Sequence, residues 1–389
     1  MEMNILEKNI KLPEFFFFLA YAIYLGINIV SFSFLFDYTG NAIYKYGTIF
    51  SIILLLVKEF LCNEKLYEKT FTSLVLVGLI VVMMYATGTT IRIKSIPLIF
   101  LFPFCSRDVD LKKISLFTII ETGILLFMII LMSQTGIIKD YIMDIGTRNR
   151  HFLGFLYALY PSTLLFNITI LSFYLSKDHF NYPYWIILVG CNYWVYKMTD
   201  SRLTFVLCIF TLLCMLIYHL FPRLFAIKIL DIGMVFAFII GTAISFYCIY
   251  AYDPGVAWTV KLDSLLTTRL SSTNIAIDTY GIHLFGQKVE LVGHAIDING
   301  METFGTYNYV DCLYMQFLLR YGYILFIPFL CFLTFSQYKS YIKKDHVVLF
   351  LGALAAAQFM IDDLSFCLFF SSIWFLLMHA ITDPVADTD

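Results

Sequence analysis

Apolar blocks of about 20 residues recur along the whole chain, the length an α-helix needs to cross a hydrocarbon layer of about 30 Å. Twelve are expected to span: Phe15–Phe36, Ile43–Leu61, Phe71–Thr87, Ser95–Cys105, Ile114–Met132, Phe152–Leu175, Tyr184–Met198, Leu203–Phe221, Ile229–Ala251, Asp311–Phe335, Val347–Ile361 and Phe366–Ile381. The fourth is short and carries Pro97 and Pro103, so a re-entrant segment and eleven crossings are the alternative. The chain is 60% hydrophobic and 14% charged. A soluble domain is about half apolar and roughly a quarter charged, so this composition excludes one. The expected fold is an all-α polytopic membrane protein, a single membrane domain over residues 1–389. Its start shows no small-residue cleavage site after the first block, so Phe15–Phe36 is read as a retained helix rather than a signal peptide.

Charge orients the chain. With twelve spans and both termini cytoplasmic, the inside segments hold 12 lysines and 2 arginines, the outside segments 6 of each. The lysines follow the positive-inside rule; the arginines run against it. Lysine is a point charge, whereas arginine is a fork that grips phosphate or carboxylate with two parallel hydrogen bonds. Outward arginines such as Arg148 and Arg150 in "GTRNRHFLGF", Arg202 in "TDSRLTF" and Arg269 in "TTRLSS" suit a large anionic ligand. The alternative is that they snorkel or hold lipid headgroups.

One long hydrophilic stretch, residues 252–310, falls outside in this topology. Loops of this length in compact proteins are functional or disordered. Trp258, Leu262, Leu265, Leu266 and Leu270 recur at helical spacing, which predicts an amphipathic helix on the bilayer surface. "SSTNIAIDTYG" predicts a second helix ending at Gly281.

Candidate acid and base groups are few. Asp311 opens the tenth span, as a helix cap or as a proton acceptor at the membrane boundary. Asp200 and Ser201 flank Arg202, where Asp200 pairs with the arginine or caps the next helix. His151, His283 and His294 lie in outer segments; either loop histidine is a candidate base or merely solvated. Asp362 and Asp363 form a turn between the last two spans and are read as solvated, with a buried acid as the alternative. Tyr307, Tyr309, Tyr314, Tyr321 and Tyr323 crowd the entrance to the tenth span, as an aromatic belt or as a stacking surface for sugar rings. Nine scattered cysteines lack metal-ligand spacing and read as small buried hydrophobes. No Walker loop, dinucleotide fingerprint or nucleophile elbow is present, so neither a cofactor nor a metal is expected, and no nucleic acid partner.

Four patches, in order, resemble the Wzy-type polysaccharide repeat-unit polymerases, a family in one superfamily with the O-antigen ligases. "RNRHFLGF" is similar to an arginine–glycine–phenylalanine stretch after an outer loop, and "MTDSRLTF" to a Ser-Arg at a later helix mouth. "RLSSTNIAIDTYGIHLFGQ" resembles Arg-Leu followed by Leu-Phe-Gly in the large outer loop, and "VDCLYMQFLLRYG" the segment that re-enters the membrane and ends in Tyr-Gly. Cys312 stands where asparagine is common, and Asp311 where many ligases carry histidine.

The resemblance implies a bacterial plasma-membrane glycosyltransferase, similar to the glycosyltransferase C architecture, that acts outside the cell without metal or nucleotide. It would transfer a growing glycan from undecaprenyl pyrophosphate to a lipid-linked repeat unit, in a capsule or exopolysaccharide, alongside a flippase and a chain-length regulator. Asp311, Arg202 and Arg269 are then the expected catalytic groups, and Arg148, Arg150, His151, Ser201, Tyr314 and His283 the expected substrate-binding ones. An O-antigen-type ligase with the same donor and a flippase of lipid-linked sugars are the rival readings; a flippase should show cations near the midplane and inverted repeats, and the sequence shows neither.

Overall fold

A computed structural model describes residues 11–61, 78, 96–145, 148–296, 299, 301 and 307–382. The expected third span, 71–87, lies outside the described residues except for position 78. The helices are α1 Leu12–Ser31, α2 Phe36–Leu61, α3 Ile96–Cys105, α4 Leu111–Gln134, α5 Leu159–Ser176, α6 Tyr182–Thr199, α7 Arg202–Leu220, α8 Lys228–Val235, α9 Ala237–Tyr250, α10 Ala257–Leu265, α11 Arg269–Tyr280, α12 Leu313–Ile342, α13 His346–Phe359 and α14 Ile373–Thr382. Between α4 and α5 a small antiparallel hairpin pairs β1 Ile142–Ile145 with β2 Arg148–His151.

Among the described residues, six helices (α1, α2, α4, α5, α7 and α12) are long and apolar enough to cross a membrane, seven if α8 and α9 form one bent span. The chain is thus a predominantly helical, multi-pass membrane protein. Part of the difference from the expected twelve has a simple cause. At 1.5 Å per residue, the 10 residues of α3 and α14 and the 14 of α13 reach only about half to two-thirds of the way across a 30 Å core. The ninth expected span is bent by 60° between α8 and α9.

Helix α5 is the centre of the bundle, buried around its whole circumference, whereas α4 and α7 leave large apolar side chains such as Phe127 and Phe210 exposed. That pattern fits a central helix surrounded by lipid-facing ones. Aromatic contacts fill the interior; Trp374 meets Phe329, Phe359 and Phe366 at centroid distances of 6.0, 5.6 and 6.0 Å.

The two ends of the bundle carry different chemistry. At one end lysines tie neighbouring helix ends together: Lys113 to Glu14 at 2.6 Å, Lys112 to Asp178 at 2.6 Å, Lys177 to Asp345 at 3.0 Å, and the fully buried Lys58 to Asp108 and Glu59. At the opposite end lie the starts of α5, α7, α11 and α12, and with them Arg150, Arg202, Arg269 and Asp311.

Three local expectations are corrected. The segment expected to open the sixth span, Phe152 to Ala158, is not helical. Leu153 and Gly154 take positive φ of 51° and 84°, the Leu153 amide donates to Asp140 Oδ1 at 2.8 Å, and the chain then runs against the end of α1 through Phe34 N to Gly154 O at 2.9 Å and Leu156 N to Phe32 O at 2.9 Å. Arg148 to His151 are strand, not a helix mouth. The expected amphipathic helix through Leu270 breaks after Leu265, because Thr267 and Thr268 adopt left-handed φ of 57° and 64°, and Leu270 belongs to α11. Asp362, read as solvated with a buried acid as the alternative, is only 4% exposed, whereas Asp363 is half-buried.

Helix α12 is itself interrupted. Gly322, at φ 69° and ψ 179°, breaks the helix in a conformation open almost only to glycine. The loop segment around Leu284–Gln287 docks on this break: Gln287 N donates to Arg320 O at 3.0 Å and Ile324 N to Leu284 O at 3.2 Å. The docking satisfies backbone groups that a broken helix leaves without partners.

Candidate functional site

Three arginines from segments far apart in sequence reach one place by different local means. Helix α6 ends on Asp200, whose left-handed φ of 45° turns the chain directly into α7. Arg202 is therefore the first residue of α7, and Asp200 holds it by two hydrogen bonds, Nε to Oδ1 at 3.0 Å and Nη2 to Oδ2 at 3.3 Å. The Arg202 side chain stays 59% exposed. Arg150 comes from β2; its Nε donates to the Thr199 carbonyl at 3.0 Å and its guanidinium lies 5.6 Å from the Tyr157 ring centroid.

Arg269 is the first residue of α11. Asp263, buried on α10, accepts from the Leu270 and Ser271 amides at 2.8 and 3.1 Å and so caps α11 although it lies outside the usual capping position. The Asp263 carbonyl also takes the Thr268 amide at 2.9 Å, fixing the strained threonine pair. Two β-branched residues in succession at positive φ cost on the order of 1–3 kcal/mol each, and Arg269 follows them directly. Its side chain is largely buried. Its Nε lies 3.5 Å from Asp311 Oδ2 yet makes no hydrogen bond.

Both Arg202 and Arg269 thus sit at helix N-termini, where the free amides and the helix dipole already favour an anion and disfavour a cation. Ser201 does not cap α7 with its side chain; its hydroxyl points to the Ala158 carbonyl at 3.4 Å. Stacking cations on positive helix ends is unfavourable for the protein alone and favourable once an anion is bound.

The carboxylates offset part of this charge. Asp311 precedes α12 and is buried; burial raises its pKa, and Arg269 and His294 only partly counter that. For Arg269 burial works against the charge, but Asp311 and Asp362 outweigh it and leave the pKa above the ordinary value. Burial, then the neighbouring charge of Asp363, pushes the Asp362 pKa up to about 7. Its Oδ1 accepts from the Leu364 amide at 3.0 Å and its Oδ2 from the Thr163 hydroxyl at 3.4 Å.

Arg150, Arg202, Arg269, Asp311 and Asp362 all line one cavity of about 330 Å³ at the end of the bundle, together with Asp200 and Ser201. An entirely apolar groove of about 650 Å³ lies against it between α7, α8, α9 and α13, and Leu207 of α7 lines both.

Arg148 is on β2. Three other expected residues do not line the cavity. His151 pairs with Asp140 at 2.6 Å. Tyr314 is fully buried inside α12 and donates to the Ala356 carbonyl at 2.9 Å, so it packs helices. His283 is held near the Tyr280 carbonyl at 3.1 Å in the loop that docks on Gly322, and does not line the cavity. His294 does line it, stacked on Tyr307 at 4.5 Å. Asp263, Thr267 and Thr268 are contributors that the sequence reading did not single out. The sole signal was their position directly before Arg269. Among the described residues no group of three His, Cys, Asp or Glu side chains is arranged to hold a metal ion. Compared with protein-family models, curated proteins and solved structures, the chain matches none.

Proposed function

We propose that the chain is a glycosyltransferase that joins lipid-linked saccharide repeat units, with the arginine-lined cavity as its active site on the outer side of the bacterial plasma membrane. The observation that carries this reading is the convergence of three guanidiniums and two helix N-termini on one cavity that adjoins an apolar groove. An anionic head beside a long apolar tail is the shape of a polyprenyl diphosphate. Forked guanidiniums suit the diphosphate better than point charges do, and the groove suits the prenyl chain.

The transfer needs no external energy source, since the diphosphate is the leaving group. An acceptor hydroxyl attacks the anomeric carbon of the donor sugar. The bond from that carbon to the diphosphate oxygen breaks, and its electron pair leaves with the diphosphate. Arg150, Arg202 and Arg269 neutralise the charge that grows there, the contribution that usually dominates such chemistry. The hydroxyl proton passes to a carboxylate. Asp311 is engaged by Arg269, whereas Asp362 faces the same cavity with hydrogen bonds, among the described residues, from Thr163 and Leu364 alone, and its pKa of about 7 suits a base. Asp362 is therefore assigned as proton acceptor and Asp311 as the group that holds Arg269.

The lipid-linked glycans that accumulate on deletion of the gene test the reading. Single repeats on the outer leaflet support a polymerase. Repeats trapped inside would mean a flippase, and full-length polymer not transferred to its final acceptor a ligase.

A further inference from the structure

A second cavity, of about 290 Å³, lies on the other side of the Asp362–Asp363 turn. The first cavity is lined by Asp362 and Tyr157, the second by Asp363 and Tyr160. Its walls come from α1, α2, α5, the first half of α12 and the turn itself.

Its chemistry differs from that of the first. Aromatic rings form the walls, with Phe32 5.1 Å from Tyr160 and Phe317 5.5 Å from Phe366. Polar groups are set between them. Asp363 Oδ2 is held twice, by the Tyr309 hydroxyl at 2.7 Å and Gln316 Nε2 at 2.8 Å, while Oδ1 receives no hydrogen bond from the described residues. Arg320 Nε is buried and has no hydrogen-bond partner among the described residues, an unusual arrangement for a guanidinium. Asn28 also lines the space. Ring faces combined with fixed donors and acceptors are what a sugar ring requires, with its apolar face and its rim of hydroxyls.

Any transfer between two glycans must hold both at once. The cavity with three arginines suits the diphosphate-bearing donor. The second cavity has one partly buried guanidinium and a carboxylate, too little positive charge for a diphosphate and enough polarity for a neutral or singly charged sugar. The two cavities meet at the two-residue turn that carries Asp362.

Resting on the polymerase reading above, we infer that this second cavity holds a sugar residue of the acceptor glycan, with Arg320 Nε as a donor that selects it. The acceptor is thereby held beside the turn that takes its proton, and on the opposite side from the donor's leaving group.

Because donor and acceptor are both lipid-linked in the cell, the test separates them. The donor is the lipid-linked single repeat extracted from a deletion strain; the acceptor is the same repeat on a short alkyl chain without diphosphate. The full-length chain, purified in detergent, is assayed for transfer between them. Arg320→Gln should raise the acceptor KM by about tenfold or more while the donor KM and kcat change by less than about twofold. Arg320→Lys, which keeps charge and a donor, should recover part of that loss and also covers the case in which Arg320→Gln does not fold. An unchanged acceptor KM in a folded Arg320 variant that still transfers overturns the acceptor assignment and leaves the polymerase reading intact. No transfer by the unaltered chain, to either lipid-linked or alkyl acceptors, overturns the polymerase reading itself.

Discussion

Gly286 and Gly322 face each other across the contact between the long loop and the broken helix α12. A Cβ built on Gly286 falls onto the Arg320 carbonyl, and one built on Gly322 onto the Gly286 amide and the Leu284 carbonyl. Both residues also have positive φ, 76° and 69°. Two of the patches that carry the family resemblance, "HLFGQ" and "RYG", are therefore the two halves of one joint. Its consequence for the site is direct, since Arg320 lines the second cavity and supplies the carbonyl to which the loop is hydrogen-bonded.

Gly286→Ala and Gly322→Ala should each destabilise this joint by several kcal/mol, from a clash with backbone that has no rotamer to yield plus about 1–3 kcal/mol for the disfavoured φ. Limited proteolysis of the purified chain checks it: cleavage between residues 282 and 290 should appear in both variants. The double variant should be little worse than either single one, because each alone already separates the two surfaces. Fully additive destabilisation would mean that the glycines act independently.

The guanidinium forks are tested by charge-conserving changes. Arg202→Lys and Arg269→Lys keep the positive charge and lose the second hydrogen bond. Each should lower transfer by about tenfold to a hundredfold, the loss of one or two charge-assisted hydrogen bonds. Arg202 is largely exposed, so its loss should be milder and more sensitive to salt; the buried Arg269, whose exchange also leaves Asp311 without its partner, should be costlier. Full elongation by both lysine variants would remove the clamp.

Some of this was legible in the sequence, and the rest was not for definable reasons. Most helix positions follow from apolar run length, and the excess of arginine at one end is readable as charge asymmetry, because both are properties of local composition. The place where Arg150, Arg202 and Arg269 meet depends on packing among α5, α6, α7 and α11, which no local pattern encodes. The burial of Asp362 escapes for the same reason, since a pair of aspartates in a short turn reads as polar until neighbouring helices cover it. Thr267 and Thr268 escape for the opposite reason: their left-handed conformations contradict local preference, and tertiary and capping hydrogen bonds, those of Asp263 among them, hold them. Such contradictions concentrate at functional sites.

Those contacts make a prediction of their own. Asp263→Ala removes the acceptor for the first amides of α11 and should cost about 1 kcal/mol of stability as a lost cap. Thr268→Gly accepts the same φ without strain and should leave stability equal or higher. If the strained turn serves to aim Arg269, Asp263→Ala should lower transfer about tenfold beyond any loss of folded protein, a positioning effect, whereas Thr268→Gly should lower it only slightly. Melting by tryptophan fluorescence alongside initial rates separates the two effects. An Asp263→Ala chain with full activity would reduce the turn to a connector.

The pH dependence follows from Asp362. As proton acceptor it must be ionised, and burial has raised its pKa to about 7. Transfer should therefore climb as pH rises through about 7 and level off above it, whereas an ordinary carboxylate base would already be level near pH 5. Stability should move the other way. Between the unfolded carboxylate range near 4 and the folded value near 7, the folded chain keeps a proton that the unfolded chain gives up. Rising pH through that window then favours unfolding, and Asp363, raised to about 6 mainly by burial, adds in the same direction. Asp362→Asn should abolish the activity limb, reduce transfer by about a hundredfold or more, and shallow the fall of stability between about pH 4 and 7, leaving the part that Asp363 contributes up to about 6. A variant that transfers poorly yet keeps the limb near pH 7 would assign the proton to another group, and Asp311→Asn assayed over the same range would decide whether that group is Asp311.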